Sequence, residues 1–100
     1  MKMLYINCNI SVLQELIKIL DSSKIKSYQI IENVKSLNRA GDPRFDTAVW
    51  PGYDGVVFVP LKNSDNKKIV FDKIREYNSK ILNADEKISA CSFDIDDYIF

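Results

Sequence analysis

The order in which hydrophobic patterns follow one another constrains the fold of this chain more than any other feature. Apolar runs or alternating residues typical of β-strands occur at residues 3–8, 27–35, 55–59 and 88–93. Segments with helical spacing separate the first strand from the second and the third from the fourth. This order predicts an α+β domain with the ferredoxin-like βαββαβ fold, in which two helices cover one face of an antiparallel sheet.

Both predicted helices are amphipathic. The first is capped by Asn9 or Ser11 and the second begins at residues 63–65. Their apolar stripes are Val12, Leu13, Leu16, Ile17, Ile19 and Leu20 in the first helix, and Val70, Phe71, Ile74, Tyr77, Ile81 and Leu82 in the second. Two such helices do not cover every apolar strand residue, such as Leu4, Ile6 and Val57. We therefore expect self-association to bury the second face of the sheet.

Three details of the strands lead to further expectations. Pro60 lacks an N–H group, which predicts that the third strand ends or bulges there. The alternation at residues 95–100 predicts a short fifth strand. Cys8 and Cys91 form no metal or redox motif and are predicted to be buried, reduced thiols.

Composition narrows the classes of function. The chain has 100 residues, which predicts one domain spanning residues 1–100. Lys plus Arg and Asp plus Glu both number 14, so no basic surface for nucleic acid is predicted. No apolar run is long enough to span a membrane, and the first residues lack a cleavage site, so we expect a cytoplasmic protein. The chain has no histidine, the commonest general base, so we do not expect an enzyme.

The connection from Ser36 to Asp54 is too long for a simple link between two strands, and such loops are usually functional. Its candidate ligand-binding residues are Arg39, Asp42, Arg44, Asp46, Trp50 and Tyr53. The arginines fit a phosphate or carboxylate, and the aromatic residues fit a planar ligand or a protein partner. In the alternative interpretation, the arginines only pair with Asp42 and Asp46 to order the loop, and Trp50 packs in an interface between copies.

The same chain resembles the PII-type signalling proteins over most of its length. Residues 32–35 followed by Arg39 are similar to the start of the long loop in that family, and residues 86–88 are similar to the Gly-Lys-Ile that opens its fourth strand. Residues 41–52 resemble a divergent PII-like branch. The resemblance implies a homotrimer, effector nucleotides in clefts between subunits, a loop that reaches a partner, and a phosphate contact at Lys87.

Two departures from the family pattern bear on its ligand. The glycine-rich turn before the fourth strand is replaced by residues 83–86, which contain no glycine and carry the carboxylates of Asp85 and Glu86. The basic residues expected after that strand are replaced by Asp94, Asp96 and Asp97. Because carboxylates repel a triphosphate, ATP binding does not carry over, and the effector stays unknown.

Three functions fit these patterns. The first is a trimeric PII-like regulatory protein that senses a small anionic or planar effector between subunits and signals through its 36–54 loop. The second is a divalent-metal-responsive trimer of the CutA type, with Asp94, Asp96 and Asp97 as candidate oxygen ligands. The third is a small enzyme on a ferredoxin-like fold. For the first, replacing Arg44 or Trp50 by Ala is expected to abolish binding with little change in melting temperature.

Overall fold

A computed structural model of the protein describes residues 1–39, 41–62 and 64–99. Its strands are β1 (Lys2–Asn9), β2 (Gln29–Val34), β3 (Asp54–Leu61) and β4 (Ser89–Asp94), and its helices are α1 (Leu13–Ser22) and α2 (Ser64–Lys80). Short 3₁₀ turns precede α1 (Ile10–Val12) and β4 (Ala84–Glu86). Three residues that fall in predicted elements lie outside the described residues: Ala40 in the loop, Asn63 at the start of the second helix and Phe100 in the fifth strand.

The four strands form one antiparallel sheet in the order β2-β3-β1-β4. At the centre of the sheet, Ile6 of β1 lies opposite Val57 of β3 on one side and Ala90 of β4 on the other. Each of the two central strands, β1 and β3, is followed in the chain by a helix. This arrangement confirms the predicted ferredoxin-like βαββαβ fold.

A single apolar core lies between the sheet and the two helices. It unites Leu4 and Ile6 of β1 with Val57 of β3, all fully buried, and with Leu16 of α1 and Val70 of α2. Alternation along a strand places these side chains on one face of the sheet. The prediction that Leu4, Ile6 and Val57 need a second partner is therefore wrong, because the helices alone bury them.

The opposite face of the sheet is nevertheless apolar. Tyr5 and Phe58 meet edge to face with their ring centroids 5.4 Å apart. Ile31 and Phe93 lie on the same face and are 48% and 47% exposed. Residues 35–38 pass over one end of this face, near Tyr5 and Asn7. Within the described chain no helix covers the remainder, so we call this surface, centred on Tyr5, Phe58, Ile31 and Phe93, the open sheet face.

Several local predictions are wrong. Strand β3 continues through Pro60, which lies opposite Met3, because β2 pairs with β3 only as far as Phe58 and leaves no neighbour there that needs the missing N–H. Residues 95–99 form no strand; the N–H of Ile95 donates to the carbonyl of Met1 instead. Helix α2 ends at Lys80, so Ile81 and Leu82, which were predicted to belong to its apolar stripe, lie beyond the helix, and Leu82 is fully exposed.

The two cysteines differ in environment. Cys8 is fully buried in the core, as predicted, whereas Cys91 is exposed, which corrects the prediction that both are buried. Cys91 lies opposite Tyr5, so its side chain is on the open sheet face and that of Cys8 is on the helix face. The two thiols therefore do not meet across the β1–β4 pair.

No helix in the described part of the chain is long and apolar enough to cross a membrane.

Candidate functional site

Four element ends meet at one edge of the sheet, where the long connection leaves β2 and returns to β3. Asp54 opens β3 and lies opposite both Asn9, the last residue of β1, and Val34, the last residue of β2. Strand β4 begins beside them, with Ser89 opposite Asn7. We call this region the loop base. The fold thereby brings together residues that are far apart in the sequence.

Arg44 is the centre of the loop base and is itself buried, at 6% exposure. Its Nε pairs with Oδ1 of Asp54, which is fully buried, and its Nη2 donates to Oδ2 of Asp54 at 3.4 Å. Asn38 donates its side-chain amide to the same Oδ2 at 3.1 Å. The backbones of Ser36 and Arg44 exchange two hydrogen bonds of 2.8 Å. Arg44 therefore fixes the loop to the start of β3.

Asp85 provides a second carboxylate for Arg44, from the turn before β4. Its Oδ1 accepts a hydrogen bond of 3.3 Å from Arg44 Nη1 and one of 3.0 Å from the backbone N–H of Asp42. Gly41 has φ +79°, and a Cβ there would clash with Oδ1 of Asp85. Only glycine permits this approach, so the loop is built to receive the Asp85 carboxylate.

In the alternative interpretation of the sequence, the loop arginines pair inside the loop with Asp42 and Asp46. The partners of Arg44 are instead Asp54 and Asp85, the second of them 41 residues away. The pairing of Asp54 could have been inferred from the sequence, because Asp54 directly precedes a buried apolar strand and a buried carboxylate needs a cation as its partner. For Asp85 the sequence offered only the unusual carboxylate in a turn where glycine was expected.

The second arginine of the loop and the candidate lysine face a common cavity. A cavity of about 240 Å³ is lined by Asn38, Arg39, Arg44, Ala84, Lys87 and Ser89. Both Arg39 and Lys87 are exposed, and within the described residues neither forms an ion pair. We call this the Arg39–Lys87 cavity. Two unneutralised cations beside amide and hydroxyl groups suit a phosphate or carboxylate.

The remaining candidate residues lie farther along the loop. The N–H of Asp46 donates to the carbonyl of Gly52 at 2.8 Å, and the N–H of Trp50 donates to Thr47 Oγ1 at 2.9 Å, so residues 46–52 form a closed turn. Trp50 is 40% exposed and lines a second cavity of about 250 Å³ with Asp42, Arg44 and Asp85. Asp46 and Tyr53 line neither cavity.

The acidic residues at the end of β4 and after it do not come together. Asp94 pairs with Lys2 at 2.6 Å, and the hydrogen bond and charge of that lysine lower the pKa of Asp94. Within the described ranges, no three His, Cys, Asp or Glu side chains are placed to hold a metal ion. The structure thus offers no observation in favour of the metal-responsive alternative at Asp94, Asp96 and Asp97.

The charges of the Arg44–Asp54 pair affect the pKa of the Cys8 thiol. Burial, and next the negative charge of Asp54, raise the pKa of the Cys8 thiol from 9.0 to about 12, against a smaller opposing effect of Arg44. The thiol is therefore protonated and unreactive at neutral pH. Cys8 packs beneath the loop base as an apolar group and supplies no chemistry to it.

Comparison with solved structures identifies proteins of the same fold. CPII from Thiomonas intermedia K12, a nitrogen regulatory PII-like protein bound to ADP, AMP and bicarbonate, superposes with a TM-score of 0.66 at 11% identity, over 92% of this chain and 90% of that one. A candidate PII-like signalling protein from Thermus thermophilus gives 0.64 at 14% identity, over 92% and 83%. No family model matches the chain, and no curated protein sequence matches it.

These similarities confirm, at the level of the fold, the resemblance to PII-like proteins predicted from the sequence. The chain shares the fold of these PII-like proteins over most of both chains, at identities of 11% and 14%. The fold places a long loop and the turn before β4 at the same edge of the sheet. It does not by itself determine the ligand.

Proposed function

We propose that this protein is a PII-like regulatory protein that binds a small anionic effector at the loop base and signals through its 36–54 loop. The observation that carries the proposal is the Arg39–Lys87 cavity. It joins a loop cation to a cation of the turn before β4, so one anion bridging them links the loop to the sheet. CPII, a protein of the same fold, binds ADP, AMP and bicarbonate, which supports an effector of this kind.

The free cavity of about 240 Å³ suits the phosphate, bicarbonate or carboxylate part of such an effector. A nucleoside needs more room, which a second copy of the chain provides if sites lie between subunits. The buried Arg44 carries two carboxylates already, so Arg39 and Lys87 are the residues that gain most from an anion. We propose a binding and signalling role in the cytoplasm rather than catalysis, in keeping with a sequence that has no histidine.

Isothermal titration calorimetry with ADP, AMP and bicarbonate tests the binding site. Wild-type protein is expected to bind at least one of these, and Lys87→Gln or Arg39→Gln to weaken that binding by about tenfold or more, because each removes a charged hydrogen-bond donor. Lys18→Gln is the matched control, since Lys18 is an exposed lysine of α1 whose ion-pair partner among the described residues is Glu15. Equal affinities of Lys87→Gln and Lys18→Gln, or no binding of any probe, would refute the proposed site.

The open sheet face supports the proposal that the protein is a homotrimer. Four large apolar side chains on a face without helices resemble the inner surface of an obligate oligomer. Light scattering is expected to give about three times the 11.5 kDa of one chain. Phe93→Glu should lower this mass. Ile69→Glu, which likewise replaces a large exposed apolar residue by Glu but lies on α2, should not. A wild-type monomer would contradict the trimer and the idea of sites between subunits.

A further inference from the structure

Arg44 binds two carboxylates in very different ways. The contact with Asp54 is bidentate and buried, and Asn38 reinforces it. The contact with Asp85 uses the single nitrogen Nη1 at 3.3 Å, and the Asp85 side chain is 33% exposed. A buried bidentate pair persists, whereas a single half-exposed contact exchanges readily with solvent or another anion. Asp54 is therefore a permanent partner of Arg44 and Asp85 an exchangeable one.

The place that the Asp85 carboxylate occupies is built like an anion site. Its Oδ1 receives two donors, the guanidinium of Arg44 and the backbone N–H of Asp42, and the absent Cβ of Gly41 leaves room for it. A guanidinium and a backbone N–H beside a glycine with φ +79° are the donors that proteins use for phosphate or carboxylate oxygens. The donors of this site come from the loop, and the carboxylate comes from the turn before β4.

Arg44 also borders the Arg39–Lys87 cavity as well as the Trp50-lined cavity that contains Asp85. An anion held by Arg39 and Lys87 is therefore adjacent to the guanidinium that Asp85 occupies. The formal charges of Arg44, Asp54 and Asp85 sum to one negative charge, so the contact with Asp85 leaves no surplus positive charge on Arg44. An effector oxygen gains Nη1 only when the Asp85 oxygen leaves it.

From this geometry we propose that Asp85 is an internal competitor of the effector. Its carboxylate pairs with Arg44 when no effector is bound, and an anionic effector displaces it from Arg44. Displacement breaks the contacts of Asp85 with Arg44 and with the N–H of Asp42 together, since one oxygen makes both. Residues 41–43 are then released from the turn before β4, while Arg44 stays on Asp54. This inference rests on the proposed function and gives the loop its response to the effector.

The test is Asp85→Asn, which keeps the shape of the side chain and removes its charge, with Glu86→Gln as the matched control. Glu86 is the exposed next residue of the same turn, and no ion pair of Glu86 occurs among the described residues. Calorimetry with ADP, and with inorganic phosphate as a second probe, is expected to show about tenfold tighter binding to Asp85→Asn, because an internal competitor lowers the fraction of binding-competent protein. Hydrogen exchange at the amide of Asp42 should be faster in Asp85→Asn and unchanged in Glu86→Gln.

The outcomes separate this inference from the proposed function. Binding by wild type with no gain in Asp85→Asn would overturn the competitor role and leave the proposed function standing. Binding of neither probe by either protein would overturn both the effector site and the competition, whatever the exchange at Asp42. Binding by Asp85→Asn with none by wild type would overturn the displacement, because no probe would then remove Asp85 from Arg44 in the wild-type protein. Tighter binding in Glu86→Gln by the same factor would reduce the effect to general electrostatics and refute a specific role for Asp85.

Discussion

Removing the Arg44 side chain is expected to destabilise the protein strongly. Asp54 is fully buried in the wild-type protein, and Arg44→Ala leaves its carboxylate with the amide of Asn38 as the remaining side-chain donor among the described residues. Breaking a buried ion pair by removing one partner costs about 3–5 kcal/mol. Since each 1 kcal/mol shifts the melting temperature of a domain of this size by about 4–8 °C, we expect a fall of at least about 12 °C. This replaces the sequence-based expectation that Arg44→Ala leaves stability almost unchanged.

Thermal unfolding followed by circular dichroism measures this change, and a double variant identifies its cause. Arg44→Ala combined with Asp54→Asn also removes the stranded charge, so it should recover part of the lost melting temperature. Arg44→Lys should fall between wild type and Arg44→Ala, because an ammonium group keeps the charge but not the bidentate geometry. A fall below about 4 °C in Arg44→Ala would show that Asp54 reaches water, and would refute the buried pair as the anchor of the loop.

Three further predictions concern the cysteines and the loop. At about pH 8, iodoacetamide should alkylate exposed Cys91 and leave Cys8 unmodified until the protein unfolds, as intact mass will show. Folding raises the pKa of Cys8 from 9.0 to about 12, so the protonated thiol stabilises the folded state below pH 9.0 and this contribution is lost as the pH rises to about 12. Over that pH range the unfolding free energy of wild type should therefore fall more than that of Cys8→Ala. Equal falls would contradict this. Trp50→Ala should change the melting temperature by no more than about 4 °C, since Trp50 is 40% exposed; a larger loss would place it in an interface.

The element order could be predicted from the sequence because period and length separate strands from helices in this chain. The face on which each strand residue lies was harder to predict. Both alternating sets of β1 are largely apolar, with Leu4 and Ile6 on one face and Met3 and Tyr5 on the other, so hydrophobicity alone did not show which set meets the helices. The wrong prediction that Cys91 is buried rested on the apolar character of a free thiol, which does not show on which face of β4 the residue lies.

The proximity of the loop to the turn before β4 could be predicted through the family resemblance, but the contacts between them could not. Arg39 and Arg44 of the loop and Lys87 after that turn line one cavity. The pairing of Arg44 with Asp54 and Asp85 depends on how β3 and the turn before β4 converge in space. Contacts across 10 and 41 residues leave no periodic trace in the sequence. Local pairing with Asp42 or Asp46 was the simpler hypothesis, and the fold provided nearer carboxylates.

A crystal structure of the protein grown with ADP and bicarbonate tests the central claim most directly. We expect an anionic group between Arg39 and Lys87, with Arg44 still bound to Asp54 through Nε and with the Asp85 carboxylate moved away from Arg44 Nη1. A crystal in which the Arg39–Lys87 cavity is empty while ADP or bicarbonate is bound at another surface would contradict the proposed effector site.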